Sequence, residues 1–156
     1  MDKARLRQAI IERLNTELDN ITRAALMARD EATHEESKPE NQYDMHAQEA
    51  AYLAEGQAKL AAELHASIAL IQGMELPAFT PTHPIALGAV VTLESAGRKL
   101  NYFLGPRNGG LEIACDDMEI IVITPQSPIG RQLIGRKVGD AIGTQGKSLQ
   151  KIVAID

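Results

Sequence analysis

The chain has 156 residues, enough for one domain or two small ones with a modest hydrophobic core. Its formal net charge of −5 argues against direct binding of duplex nucleic acid, because phosphate binding needs concentrated Lys and Arg. The single cysteine, Cys115, cannot form an internal disulfide, and no apolar run approaches the roughly 20 residues that a membrane span needs. We therefore expect a cytoplasmic protein that does not contact membranes.

The first half of the chain predicts two long helices. Residues 2–34 contain neither Gly nor Pro, and their apolar residues alternate spacings of three and four, as in a coiled coil. This first stripe consists of Ile11, Leu14, Leu18, Ile21, Ala25, Ala28 and Ala32. A second stripe consists of Ala47, Ala51, Ala54, Ala58, Ala61 and Ile68, widened by Leu53, Leu60, Leu64 and Ile71. Two such helices with a short connection pack antiparallel, so we predict a helical hairpin over residues 1–74.

Acidic side chains collect where the two predicted helices meet. The carboxylates there are Asp30, Glu31, Glu35, Glu36, Glu40 and Asp44, with Lys38 as the one base among them. One interpretation is structural, because "SKPE" has the form of a capping box: Ser37 caps the second helix and Glu40 reaches back to its amide. Negative charge is also favourable near a helix N-terminus. A second interpretation, in which the acids bind a cation, is compatible with the first.

The second half of the chain predicts a different kind of structure. "GMELPAFTPTHP" (73–84) contains three prolines, so helix cannot continue and residues 75–84 form a linker. "ALGAVVTLES", "RKLNYFLG" and "MEIIVITP" predict strands, "RNGG" a turn, and "DAIGTQGKSLQKIVAI" a final hairpin. "SPIGRQLIGR" predicts one short helix, with Ser127 as N-cap, Pro128 at the first position and Gly135 just past the end. Residues 85–156 are thus predicted as a small antiparallel sheet with one helix, an α+β unit.

Two stretches resemble the Gre-type family of bacterial transcription elongation factors. "SPIGRQLIGRKVGDAI" (127–142) resembles the family's C-terminal signature. "KPENQYDMHAQEA" (38–50) resembles its hairpin-tip motif through Glu40, Asn41, His46 and Ala47. The predicted architecture, a long antiparallel coiled-coil hairpin followed by a small FKBP-like antiparallel sheet domain, agrees with the family over the whole length.

The resemblance implies that the partner is bacterial RNA polymerase. In the family, the globular domain docks at the rim of the secondary channel, and the hairpin enters the channel until tip carboxylates help to hold a second magnesium ion. The polymerase then cuts its backtracked transcript. The resemblance assigns the tip carboxylates to Glu40, Asp44 and Glu36, tip support to Ser37 and Asn41, and polymerase docking to Ser127, Pro128 and Ile129. The chain itself would be an accessory factor and not an enzyme, with no metal or cofactor bound when it is alone.

One position departs from the family's pattern. The family uses two tip acids three residues apart; Glu40 falls on the second of these positions, and Ser37, which cannot ionise, falls on the first. Glu36, one residue earlier, and Asp44, one helical turn later, are the candidate substitutes. Two functions therefore stay open: stimulation of transcript cleavage, or occupation of the channel without cleavage in competition with other factors.

Two further classes of function are weaker candidates. FKBP-like sheet domains include peptidyl-prolyl isomerases, but their pockets are lined with aromatic residues, and only Phe79, Tyr102 and Phe103 are available after residue 75. A coiled-coil adaptor would pair its heptads between chains. Pro39, between the two heptad runs, favours a turn within one chain and hence a monomer.

Overall fold

The computed structural model describes residues 1–35, 43–143 and 149–156, without the side chains of residues 32–35, 43–47 and 50. The helices are α1 (Lys3–Glu35), α2 (Tyr43–Gly73) and α3 (Pro128–Leu133). The strands are β1 (Val90–Ser95), β2 (Arg98–Leu104), β3 (Glu112–Cys115), β4 (Met118–Ile123), β5 (Ala141–Ile142) and β6 (Gln150–Ile155). The predicted class is confirmed: the protein is α+β, with two long helices, a sheet and one short helix.

The chain forms two compact units. The helical unit is Glu12–Ala69, and the sheet unit combines Met1–Ile11 with Leu70–Asp156. The domain boundaries predicted from the sequence, 1–74, 75–84 and 85–156, stay a prediction.

In the helical unit, each helix has one stripe of buried or half-buried side chains. On α1 the stripe is Leu14, Leu18, Ile21, Ala25 and Ala28, and on α2 it is Ala54, Gln57, Ala61, Leu64 and Ile68. Both stripes step by three and four, as a coiled-coil seam does. Parallel packing would need a connection as long as the helix from Glu12 to Glu35, about 36 Å at 1.5 Å per residue. The chain from Glu35 to Tyr43 reaches about 28 Å at most, so the two helices run antiparallel.

The α1 stripe is the one predicted from the sequence as far as side chains are described, whereas the α2 stripe is partly different. The side chains of Ala32 and Ala47, which were also predicted to lie on the stripes, lie outside the described part of the chain. Ala58 and Leu60 were predicted to lie on it but are exposed, as are Ala51 and Leu53. Gln57 lies on it instead, and the buried side-chain oxygen of Gln57 has no hydrogen-bond partner in the described part of the chain. The prediction was wrong because alanine occurs on several sides of α2, so periodicity alone does not decide which side packs.

The six strands form one sheet in the order β3-β4-β2-β1-β6-β5. Neighbouring strands are antiparallel except β2 and β4, which run parallel with Asn101 beside Ile120. The predicted antiparallel sheet is therefore confirmed for every described strand pair except this one. The reason is β3, which was not predicted because "EIAC" is only four residues long. The predicted turn at 107–110 leads into β3, with Asn108 at φ 61° and Gly110 at φ 93°, and the chain then returns as β4 between β3 and β2.

Both faces of the sheet carry buried apolar residues. One face carries a core cluster with Val91, Leu93, Tyr102, Leu104 and Ile152, against which Leu133 of α3 packs. Alternate residues of a strand point to opposite faces, so the buried residues Val90, Phe103, Ile120 and Val122 lie on the other face. The sheet unit also buries Leu6, Ile10 and Ile71. We assign these three to the second face, because a buried sheet face needs an apolar layer over it.

The first turns of α1 are bonded to the segment predicted as a linker. The Lys3 Nζ donates to the carbonyl oxygens of Pro77 (2.6 Å) and Gly88 (3.1 Å) and lies 4.6 Å from the centre of the Phe79 ring. Arg7 donates to the carbonyl oxygen of Met74. Burial lowers the pKa of Lys3 below its usual value, and the charge of Asp156 partly offsets that effect. These bonds fix the path of the chain between α2 and β1.

The turn between β1 and β2 holds an alanine in an unfavourable conformation. Ala96 has φ 50° and Gly97 has φ 75°, so both lie in the left-handed region, as in a type I′ turn. Glycine adopts this conformation freely, whereas for alanine it costs about 1 kcal/mol because its Cβ approaches the following carbonyl. Asn is preferred over Ala at the first position of such turns.

We expect Ala96→Asn to raise the free energy of unfolding of the sheet unit by about 0.5–1 kcal/mol, since Asn tolerates a positive φ better than Ala. Urea unfolding followed by circular dichroism would measure the change. Ala114→Asn, at an exposed residue of β3, is the control and should bring no stabilisation. An equal gain in both variants would contradict this account of Ala96.

Candidate functional site

A tight turn and a helix cap position α3. The Ser127 N–H donates to the carbonyl oxygen of Thr124 (3.0 Å), and the Ser127 hydroxyl donates to the same oxygen (2.7 Å). The Ser127 Oγ in turn accepts a hydrogen bond from the Gly130 N–H (3.0 Å). Pro128 follows at the first helical position, where its missing N–H would have had no helical partner. The predicted N-cap and the predicted helix are both confirmed.

Gly130 is required by the same turn. A Cβ at this residue would lie 1.9 Å from the carbonyl oxygen of Thr124 and 2.9 Å from the Ser127 Oγ. The first of these atoms belongs to the backbone and cannot move without opening the turn. The "SPIG" sequence at the start of α3 is therefore explained by the hydrogen bonds of the cap and by the lack of space at Gly130.

The three predicted docking residues differ in what they present to solvent. Pro128 is exposed, whereas Ser127 is half-buried with its hydroxyl engaged in the cap. Ile129 is half-buried and packs against the core cluster. Pro128 is thus the one of the three whose side chain is open to a partner, and the docking role of all three stays a prediction.

Exposed apolar and basic side chains lie on α3 and beside its C-terminal end. Ile134 is 45% exposed and Leu87 is 42% exposed. Hydrogen bonds from the Gly135 N–H to the Ile85 oxygen (2.9 Å) and from the Ile85 N–H to the Arg136 oxygen (2.8 Å) bring the segment of Leu87 beside the end of α3. The α3 surface is defined here as Leu87, Pro128, Arg131, Ile134, Arg136 and Lys137, all of them exposed.

The α3 surface combines three apolar side chains with three cations. Asp140 is the nearby acid, and its carboxylate accepts a hydrogen bond from the Lys137 N–H (2.9 Å). Surfaces of this composition suit a partner that is acidic around an apolar contact. Arg131 and Ile134 were present in the predicted helix, but their exposure was not predicted. No pattern in the sequence indicated that Leu87 would lie beside the end of α3.

Most of the predicted tip residues lie outside the described part of the chain. Glu36, Ser37, Glu40 and Asn41 lie outside the described residues, and for Asp44 only the backbone, in α2, is described. Their role as cation ligands stays a prediction. Within residues 1–35, 43–143 and 149–156, no group of three or more His, Cys, Asp or Glu is placed to hold a metal ion. In the same residues no helix is long and apolar enough to cross a membrane.

A groove of about 520 Å³ lies on the sheet over β2, β3 and β4. Aromatic residues do not line it: Tyr102 and Phe103 are buried in the sheet unit, and burial raises the pKa of Tyr102. The groove therefore lacks the lining that an FKBP-like isomerase pocket has. Cys115 stands at the end of β3, where partial burial and the neighbouring Asp116 raise the pKa of its thiol. Since the thiolate is the nucleophile, this favours an unreactive cysteine.

The fold and the site together define an α+β protein in which a two-helix unit is combined with a sheet unit that carries a basic and apolar surface. Comparisons with models of known protein families and with curated proteins find no match. Among solved structures, the chain is similar to GreA factor homolog 1 (Gfh1) of Thermus thermophilus, with 22% identity over 94% of each chain and a TM-score of 0.38.

Two further solved structures are similar to the chain. Thermus aquaticus Gfh1 shows 23% identity over 95% of this chain and 94% of that chain, with a TM-score of 0.37. A structure described as the transcription factor Gfh1 shows 23% identity over 94% of this chain and 93% of that chain, with a TM-score of 0.36. The assignment to the α+β class rests on the helices and strands described above.

We expect three substitutions in the α3 cap to differ in how much they lower the free energy of unfolding. Ser127→Ala should lower the free energy of unfolding by about 1 kcal/mol, because the Gly130 N–H loses its acceptor. Gly130→Ala should lower the free energy of unfolding more than Ser127→Ala does, since the backbone at Thr124 must move to make room for the Cβ. Pro128→Ala should stay within about 0.5 kcal/mol, as its side chain is exposed. Urea unfolding followed by circular dichroism measures all three, and similar losses in the three variants would contradict the cap described here.

Proposed function

We propose that this chain is an accessory factor of bacterial RNA polymerase. In this proposal the α3 surface docks on the polymerase, and the acidic connection between α1 and α2 enters the secondary channel. The observation that carries the proposal is the α3 surface itself. The stretch 127–142, which resembles the Gre-type signature, presents Pro128, Arg131 and Ile134 to solvent beside two further cations. A folding motif alone would not need these side chains to be exposed.

The helical unit has the form that the second part of the proposal needs. Its helices run antiparallel, so Glu35 and Tyr43, the described residues on either side of the acidic connection, lie at the end opposite to Glu12 and Ala69. The helix from Glu12 to Glu35 is about 36 Å long. An acidic connection at the far end of such an arm can reach a site that a compact domain cannot enter.

The proposed chemistry belongs to the polymerase, and this chain supplies ligands. Magnesium prefers hard oxygen ligands in octahedral geometry and usually takes only one or two carboxylates from a protein. In two-metal phosphoryl chemistry the pair of ions generates the nucleophile and steadies the attacking and leaving oxygens. Glu40, Asp44 and Glu36 are the proposed carboxylates, with Ser37 and Asn41 as their support. A weakly held second ion gains most from such an added ligand.

A second candidate function is occupation of the channel without cleavage. Ser37 stands where the family places the first of its two tip acids, and a neutral hydroxyl is a much poorer magnesium ligand than a carboxylate. In that case the protein would exclude other factors that use the same channel. Docking through the α3 surface is common to both candidates.

Docking is tested by reversing charge and polarity on the α3 surface. The double variant Arg131→Glu, Ile134→Glu should bind core RNA polymerase at least about tenfold more weakly, a loss of about 1.4 kcal/mol, in a surface-immobilised binding assay. The matched control is Arg98→Glu, Leu149→Glu, which makes the same chemical changes at two other exposed residues of the sheet unit. Wild-type affinity in the first variant, or an equal loss in the control, would refute docking through this surface.

The role of the acidic connection is tested on backtracked transcription complexes. The wild-type chain should accelerate transcript cleavage, and Glu40→Ala should remove the acceleration while leaving binding unchanged. Glu55→Ala, at an exposed residue of α2, is the control and should retain the activity. Ser37→Asp should increase cleavage, since it restores a carboxylate at the first acid position. Tight binding of the wild-type chain with no cleavage would establish the second candidate function instead.

A further inference from the structure

The groove over β2, β3 and β4 has no part in the function proposed above. Its floor alternates acidic and apolar side chains. Glu112 stands beside Ile121, Ala114 stands beside Glu119, and Leu100 lies on the same face one strand further in. Leu100 is 45% exposed. The groove therefore offers apolar area and negative charge on one face of the sheet.

The groove ends at an open strand edge, because β3 is the outermost strand of the sheet. The Val122 N–H donates to the carbonyl oxygen of Leu111. Backbone groups of an antiparallel strand alternate between the two sides, so residues 113 and 115 also turn towards β4. The N–H and C=O groups of Glu112 and Ala114 consequently face away from the sheet. They form a short row of donors and acceptors that another strand can pair with.

The carboxylates of the groove lack basic partners. Glu112 and Glu119 are exposed diagonal neighbours, and neither side chain forms an ion pair or hydrogen bond with the described residues. Asp117 is a third acid on the rim, against Lys99 as the one base among the lining residues. Like charges this close on one sheet face repel each other. A ligand with positive charge would relieve that repulsion.

We infer that the edge of β3 binds an extended basic peptide segment of a partner protein by strand addition. The peptide backbone pairs with Glu112 and Ala114, and the Lys or Arg side chains on the groove side of the peptide approach Glu112 and Glu119. The alternate, apolar side chains of the peptide fall on the opposite face of the sheet, beside Ile113. Acidic side chains at an edge repel acidic strands, so the same residues select for a basic partner. This interaction is independent of RNA polymerase docking.

The test uses the full chain and two fluorescein-labelled peptides of about ten residues, one alternating Lys with Val and the other alternating Glu with Val. Fluorescence polarisation should show saturable binding of the Lys peptide, weakened in high salt, and at least tenfold weaker binding of the Glu peptide. Glu112→Lys, Glu119→Lys should weaken binding of the Lys peptide at least tenfold. Glu55→Lys, Glu63→Lys changes the net charge equally at exposed residues of α2 and should leave the affinity within twofold.

Amide hydrogen exchange separates strand addition from simple charge attraction. With the Lys peptide bound, exchange at the Glu112 and Ala114 amides should slow at least fivefold. Unchanged exchange at both amides, equal binding of the two peptides, or an equal loss in the two double variants would overturn the inference. Slowing of these amides by raising the protein concentration alone, without peptide, would assign the edge to a second copy of this chain and would also overturn it.

Discussion

The close approach of Gly130 to the carbonyl oxygen of Thr124 is the constraint on which the exposed surface of the sheet unit depends. At a separation of 1.9 Å from that oxygen a Cβ has no room, so the turn exists only with glycine. The turn and the Ser127 cap fix where α3 begins and which way it faces. Leu133 then reaches the core cluster, while Arg131 and Ile134 face solvent. This one backbone contact thus decides which side of the six-residue helix packs against the core and which side is exposed to solvent.

The stretch that resembles the Gre-type signature therefore contains two kinds of residue, one that builds the fold and one that is exposed to solvent. Ser127, Gly130 and Leu133 are explained completely by capping, steric fit and burial. Pro128, Arg131 and Ile134 are not needed by the core, and they are the residues that carry the docking proposed above. A match to such a signature is partly a match of fold, and fold does not imply function. Only the exposed residues of the stretch are therefore available to contact a partner.

Packing in the helical unit weakens towards its acidic end. The large buried side chains, Leu14, Leu18, Leu64 and Ile68, all lie near the end formed by Glu12 and Ala69. Further along, the stripes consist mainly of half-buried alanines with Gln57 between them. Alanine buries little apolar area but has the best helix propensity. The part of this unit near Glu35 and Tyr43 therefore depends on helix propensity more than on a core.

The sequence by itself determined the α+β class, the two long helices, the α1 stripe, the cap and the glycine that ends α3, because each follows from local periodicity or turn chemistry. The tertiary structure alone decided that β4 runs parallel to β2 with β3 outside it, that Gln57 packs where Ala58 was expected, and that Leu87 meets the end of α3. Strand order and the packed side of an alanine-rich helix depend on contacts between residues far apart in the chain. A pattern read along the chain contains no information about such contacts.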